Sequence, residues 1–241
     1  MLVPITDLDT HVATRTAWHT LAERILAPAR HAVTGRIGLR SAPGGFATPA
    51  FGADRVVAVD GSELTITDGT ITDGTTTTRR HRISTLDAAA AFVGVDPTAD
   101  TGVYTPTTSA DRAAVLVVDP ASATALGDWI AFGQQVLEVW RAAHPEDTPS
   151  EIQLWPEHFD LALDLGPESG RANYGASPGD GGHELPYLYV GPWNPTDDAF
   201  WNAGTYARLG HAELLASADP EGAAIEFFTL GYTAASPSPK S

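Results

Sequence analysis

Three Asp-Gly pairs, Asp60-Gly61, Asp68-Gly69 and Asp73-Gly74, punctuate residues 55–83 of this 241-residue chain. Asp-Gly between alternating apolar residues favours tight hairpin turns, because glycine takes the positive φ that such turns need. Residues 55–83 are therefore expected to form an antiparallel meander. The tandem "ITDGTITDGTTTT" within it is low in complexity, and the residues leave it open between strand and hairpin tip.

Helical spacing replaces the turns elsewhere. Trp18, Leu21, Ala22, Ile25, Leu26, Ala29 and Val33 recur as one apolar stripe, which predicts an amphipathic helix over 15–33, kinked or divided at Pro28. "RIGLR" and "GGFATPAFG" read as strands. A short helix follows, capped by Thr85 and stopped by Gly94. Residues 96–111, rich in proline, threonine and aspartate, read as a connection. Val115 to Val118 reads as a strand. Asp119-Pro120 then supplies a cap and a first-turn proline for a second long helix. One face of that helix carries Leu126, Trp129, Ile130, Gly133, Val136, Leu137 and Trp140, which read as core. From Glu151 the chain returns to strands in "IQLWPEHFDLALDLG", "ELPYLYVGPW", "AFWNAGTYARL" and "AAIEFFTLGY". Residues 236–241 read as a disordered tail.

The expected fold class is α+β: antiparallel sheet packed against two long amphipathic helices, in one compact domain over 1–235. Its halves, about 12–97 and 112–233, each run helix first and strands after. A duplicated unit would give that order, but identities between the halves are sparse, and duplication stays open.

Composition narrows the function classes. The net charge is -16, with 30 acidic residues against 13 arginines and Lys240. Such a surface repels polyanions, which argues against nucleic acid and anionic membrane as partners. The local exception, "RRHR" at 79–82, reads as an exposed strand end. With no cysteine there is neither a disulfide, a thiolate metal site nor a cysteine nucleophile. "MLVPITDLDTH" has no basic or apolar leader character, so a soluble cytoplasmic protein is the expectation. No phosphate loop, dinucleotide fingerprint, His-Glu-x-x-His or EF-hand pattern is present, and no cofactor is expected.

Three constellations remain. Gly175-Ala176-Ser177-Pro178-Gly179 has the spacing of a hydrolase nucleophile elbow, with Asp197, Asp198 and His211 following in Ser, Asp, His order. The mechanics fail, since Pro178 stands where an oxyanion-hole amide is needed and "GDGGHELPY" cannot be a helix. Ser177 and Asp180 are instead expected to bond the backbone of their own glycine-rich loop. In "PEHFDLALDLG", read as one strand, His158, Asp160, Ala162 and Asp164 share a face. His158 and Asp160 could bind a ligand there, serve a hydrolase or metal-assisted enzyme, or be merely the polar side of a strand. If residues 158–165 and 185–191 are the two arms of one hairpin, a separation of roughly 24 Å argues against a shared metal site of His158 and Asp160 with Asp180, His183 and Glu184, which only a loop folding back across the sheet would unite. The aromatics Tyr187, Tyr189, Trp193, Phe200, Trp201 and Tyr206 suit either a pocket or a core.

The segment "LWPEHFDLALDLGPESGRANYGASPGDGGHELPYLYVGPW", with "IGLRSAPGGFATPAFG" before it, resembles a family of uncharacterised bacterial, largely actinobacterial, proteins. The resemblance spans about residues 16–232 and brings no activity and no catalytic residue with it. The functional expectation is thus a non-catalytic protein that binds a small molecule or a protein partner. Its pocket would be floored by His158 and Asp160, lidded by Ser177 and Asp180, and walled by Tyr187, Tyr189 or Trp193. The ligand expected there is polar or weakly basic, not anionic.

Overall fold

Asp7 starts the first helix. Its carboxylate accepts the amide of Thr10 at 3.1 Å, satisfying one donor that a helix start leaves free. The computed structural model describes residues 2–69 and 76–236. Helix α1, Leu8–Leu21, continues through one π-helical turn, Ala22–Leu26, into α2, Ala27–Thr34. Proline lacks an amide hydrogen and crowds the carbonyl four residues back, here that of Arg24. The widened turn lies at that position, so Pro28 divides the helix without ending it. The expected stripe from Trp18 to Ala29 is buried, whereas Val33, in the last turn, is exposed.

The chain forms two compact units, one of Ile5–Ala131 with Leu154–Phe159, the other of Met1–Pro4, Phe132–Gln153 and Asp160–Ser241. The division falls inside the second long helix, whereas the expected halves met at residues 96–111.

In the first unit, β1 (Arg40–Ala42), β2 (Gly45–Ala47), β3 (Val56–Asp60), β4 (Glu63–Gly69) and β5 (Thr76–Arg82) form an antiparallel meander in sequence order. Asp60 pairs with Glu63 around Gly61, whose φ of 58° is the left-handed value the turn demands. Asp68-Gly69 does not turn. It lies in β4 opposite Thr77 and Thr76, its carboxylate held by Arg55 at 2.7 Å and facing Arg79 at 3.8 Å. Asp73-Gly74 and residues 237–241 of the expected tail lie outside the described residues. The basic stretch 79–82 sits on exposed β5, as expected, with Arg80 bound to Asp60 and Glu63.

Trp18, Phe46 and Phe159 form the aromatic centre of this unit, with ring centroids 5.8 and 5.2 Å apart along the chain of three. Helix α3, Leu86–Val93, has the expected Thr85 cap and left-handed Gly94 stop. The 96–111 connection has no helix or strand, yet it is anchored. Glu23, buried within the helix, accepts the amides of Thr107 at 3.0 Å and Thr108 at 2.8 Å, and Arg24 donates to the Thr108 carbonyl. The strand expected over Val115 to Val118 reduces to a single bridge between Thr85 and Val115. Its partner segment is only the few residues before α3, so no longer ladder can form. Helix α4, Pro120–Ala143, then opens where expected, with the Asp119 carboxylate accepting the Ser122 amide at 2.8 Å.

The second sheet has the order β10-β9-β8-β7-β6: β7 (Asp160–Leu165), β8 (Ala172–Ser177), β9 (Tyr187–Pro192) and β10 (Ala207–Gly210) belong to the second unit, as does Gln153 of β6 (Gln153–Trp155), whose other two residues are counted in the first. Two helices follow, α5 (His211–Ala216) and α6 (Pro220–Ala235). The strand expected over "AFWNAGTYARL" shortens to β10, and the one expected over "AAIEFFTLGY" is part of α6. Asp219 caps that helix by accepting the Gly222 amide at 3.0 Å, Pro220 fits its first turn, and Ala224, Phe227, Phe228 and Gly231 are buried at helical spacing. Trp140 of α4 meets Tyr174 of β8 at 5.3 Å and Phe228 of α6 at 5.8 Å between ring centroids. The helices come close because they present glycine. A Cβ on Gly133 would stand 2.5 Å from that of Ala176, and one on Gly231 would stand 2.7 Å from Val190. The fold is thus α+β with two five-stranded antiparallel sheets, and among the described residues no helix is long and apolar enough to cross a membrane.

Trp129 and Trp140 are 1% and 2% exposed. Trp129→Ala and Trp140→Ala are each expected to lower unfolding free energy by about 3–5 kcal/mol, read by urea denaturation. A second prediction concerns His19, which stacks on Phe159 at 5.4 Å. Burial lowers its pKa, against an opposing pull from Glu23. The unfolded chain takes up this proton near its ordinary value of about 6.5, before the folded chain does. The neutral imidazole's contribution is therefore complete above that pH and is lost as pH falls through the lower folded value. Between pH 7 and 5, His19→Gln is expected to flatten the decline in denaturation midpoint.

Candidate functional site

The polar residues of the second unit are gathered by strand alternation. With Leu161, Tyr174 and Val190 turned toward the helices, the other side of β7, β8 and β9 must carry the intervening positions. Leu161 pairs with Ala176, and Ser177 with Tyr187, so Asp160, Ser177 and Tyr187 line up across three strands. The next row is Ala162, Gly175 and Tyr189, and the third is Asp164, Asn173 and Gly191.

Gly175 makes this face possible. A Cβ there would stand 2.4 Å from the Tyr189 ring, so the ring occupies the space that a side chain would fill. Lying across Gly175, Tyr189 reaches the neighbouring row and donates its hydroxyl to Asp160. Burial, then the Asp160 charge, pushes the Tyr189 pKa well above its ordinary value, so the phenol keeps its proton. Beside it Tyr187 donates to Asp180 at 2.5 Å, its pKa likewise raised, chiefly by burial. The Asp180 carboxylate also accepts the amides of Gly182 at 2.6 Å and His183 at 2.8 Å, and Ser177 accepts the amide of Gly179 at 3.2 Å. This is the self-bonded glycine-rich loop that the sequence predicts. Ser177 ends a strand, Pro178 follows, and residues 178–186 contain no helix, so the strand-turn-helix setting of a nucleophile elbow is not formed. His183 packs edge-on to Tyr187 at 5.3 Å. Its pKa is lowered by burial and by the Arg208 charge, against Asp180.

Five of the seven expected ligand-binding residues are thereby brought together: Asp160, Ser177, Asp180, Tyr187 and Tyr189. His158 and Trp193 are not among them. The single strand expected through "PEHFDLALDLG" is broken into β6 and β7 by a turn at residues 156–159, where Phe159 has φ +53°. That left-handed residue resets the alternation. His158 is an exposed turn residue and does not share a strand face with Asp160, which is buried. The assumed hairpin of 158–165 with 185–191 is also corrected, since β8 runs between its two arms.

Trp193 lies beyond the far end of β9, about 20 Å from Tyr187 at 3.4 Å per residue. There the third polar row meets a set of residues that sequence reading did not single out. Arg171 contacts Asp164 through Nε at 2.5 Å and also through its terminal nitrogen. It donates further to Thr148 Oγ1 at 3.1 Å, to the Thr148 carbonyl at 3.0 Å and to the Gly166 carbonyl at 3.1 Å. Its guanidinium carbon lies 5.4 Å from the Trp193 ring centre, and the indole N–H donates to Asn173 at 3.1 Å. Around this pair opens a cavity of about 440 Å³, lined among others by Glu146, Asp147, Glu168, Arg171 and Trp193. The missed signal was the "DLGPESGR" stretch, in which an acid and a base flank a glycine-bounded turn.

Among the described residues no group of three or more His, Asp or Glu side chains is arranged to hold a metal ion. Comparison with protein-family models, curated proteins and solved structures finds no match to this chain.

Tyr189→Phe removes the donor to buried Asp160 and is expected to cost about 1–3 kcal/mol. Gly175→Ala should cost at least as much, since it must displace the ring. Thermal or urea unfolding reads both, and wild-type stability in Gly175→Ala would show that the ring does not depend on that space.

Proposed function

We propose that this protein is a non-catalytic small-molecule binding protein, and that its ligand is held on the polar side of the β6–β10 sheet, in the cavity beside Trp193. One observation carries this reading: a tryptophan that is 56% exposed is nevertheless fixed in place. Asn173 holds its N–H and Arg171 covers one side, while the cavity beside it has a volume typical of ligand pockets, roughly 300–1,000 Å³. A surface indole held this firmly is preorganised to receive a planar or apolar group at little entropic cost.

The tyrosine–aspartate cluster at the other end is the frame that holds this face, not its receptor. Tyr189, Tyr187 and the loop amides already occupy the carboxylates of Asp160 and Asp180. A hydrolase or metal-assisted reaction using His158 and Asp160 lacks the shared strand face on which that alternative rested. We take the setting to be cytoplasmic, and the net charge of -16 disfavours nucleic acid as the partner. The resemblance to the actinobacterial family contributes no residue to this reading.

The test is a metabolite screen by two-dimensional NMR on protein labelled at the tryptophan indole. Ligands are expected to move the Trp193 indole signal, and Trp193→Ala should abolish binding without lowering the melting temperature. Hits that bind Trp193→Ala as well as the parent, or a broad screen without hits, would overturn the proposal.

A further inference from the structure

We infer that the cavity beside Trp193 selects small organic ammonium ions; the inference rests on the binding reading above and names the ligand class. The charge within the cavity wall points that way. Arg171 is its cation, but that charge is spent on protein. Asp164 neutralises it, and Thr148 Oγ1 with the carbonyls of Thr148 and Gly166 take its remaining hydrogens. Glu146, Asp147 and Glu168 line the same cavity, and of these Asp147 accepts a hydrogen bond from Tyr232 at 2.9 Å, which leaves its charge in place. An incoming anion would meet three acidic residues and a guanidinium with no donor to spare.

Carboxylates alone would form only a solvated acidic rim. What makes this a site is the aromatic plate inside a concave wall. The indole face is electron-rich and attracts cations, and in this fold it already does so on one side, where Arg171 stands 5.4 Å from the ring centre. The ring is 56% exposed, and its N–H is committed to Asn173. It therefore offers a ligand π-density, not a hydrogen bond. An alkylated ammonium fits that offer, with its methyl or methylene groups against the indole and its charge toward the carboxylates. At about 440 Å³ the cavity has room for a choline-sized ion. The field of a chain carrying -16 raises the local concentration of such cations and disfavours anions.

The experiment is isothermal titration of the full chain at low salt with choline chloride, its uncharged carbon isostere 3,3-dimethylbutan-1-ol, and glutamate. Choline is expected to bind roughly tenfold or more tightly than the isostere, the range that cation–π and carboxylate contacts supply. Glutamate should not bind, and raising the salt should weaken the choline affinity. Glu146→Gln with Glu168→Gln, both at exposed positions, should reduce choline binding about tenfold and leave the isostere unaffected. Trp193→Phe should retain more affinity than Trp193→Ala. Equal affinity for choline and isostere, or choline binding unchanged in the double glutamine variant or in Trp193→Ala, overturns the inference. If uncharged compounds bind through Trp193 and choline does not, the ammonium assignment falls and the binding reading stands. If neither choline nor any compound of the screen binds, both fall.

Discussion

The seating of α4 and α6 on the β6–β10 sheet decides what the rest of the second unit can be. Gly133 against Ala176 and Gly231 against Val190 allow the helices to approach until Trp140, Tyr174 and Phe228 pack ring to ring. Once that face is chosen, the period of two in a strand leaves no freedom to Asp160, Ala162 and Asp164, or to Ser177, Gly175 and Asn173. They must lie on the opposite side. The polar face is thus a by-product of how the hydrophobic face was closed, and its chemical character follows from which polar residues face out.

That face is arranged along its length as well. At one end, two tyrosines bind two aspartates and tie down the glycine-rich loop; at the other, Arg171 gathers the turns around Asp147 and Gly166. Both ends use the same device, a charged group satisfied entirely by its neighbours. Buried or half-buried charge is tolerated only when it is paired and hydrogen-bonded. The consequence is a rigid frame whose own charges are spoken for, leaving the rim carboxylates and one indole face to meet solvent.

The helices α1 to α4 were legible in the sequence because their apolar residues and their ends both mark them. Helix α6 instead reads as a strand, because Ile225, Phe227, Phe228, Thr229 and Tyr232 are strand formers and only packing sets them on a helix, and α5 goes unread. Asp7 lies eleven residues before Trp18, the first residue of the stripe, so the first helix begins earlier than the stripe alone predicts. The strands were harder to place. β8, "ANYGAS", has no β-branched residue and is a strand only because Tyr189 fills the space over Gly175 and α4 the space over Ala176. Missing it moved the pairing of β7 and β9 by a whole strand. The break at Phe159 had no local signal either, since a bulky aromatic residue is a poor candidate for positive φ. It is retained where the ring packs against Phe46 and His19, a tertiary compensation that no window of sequence contains. His158 was misplaced for that reason, whereas the bonds of Ser177 and Asp180 to their own loop were local and so readable.

Both sheets join strands in chain order, so nearly every ladder closes over a short loop. Sheets built this way have low contact order for β structure and assemble without first bringing distant segments together. The anchor between Glu23 and the amides of Thr107 and Thr108 is of the opposite kind, spanning more than eighty residues. Closing that loop costs entropy which only its final geometry repays. The hairpins are therefore expected to form before residues 107–108 dock onto a carboxylate already placed in its helix.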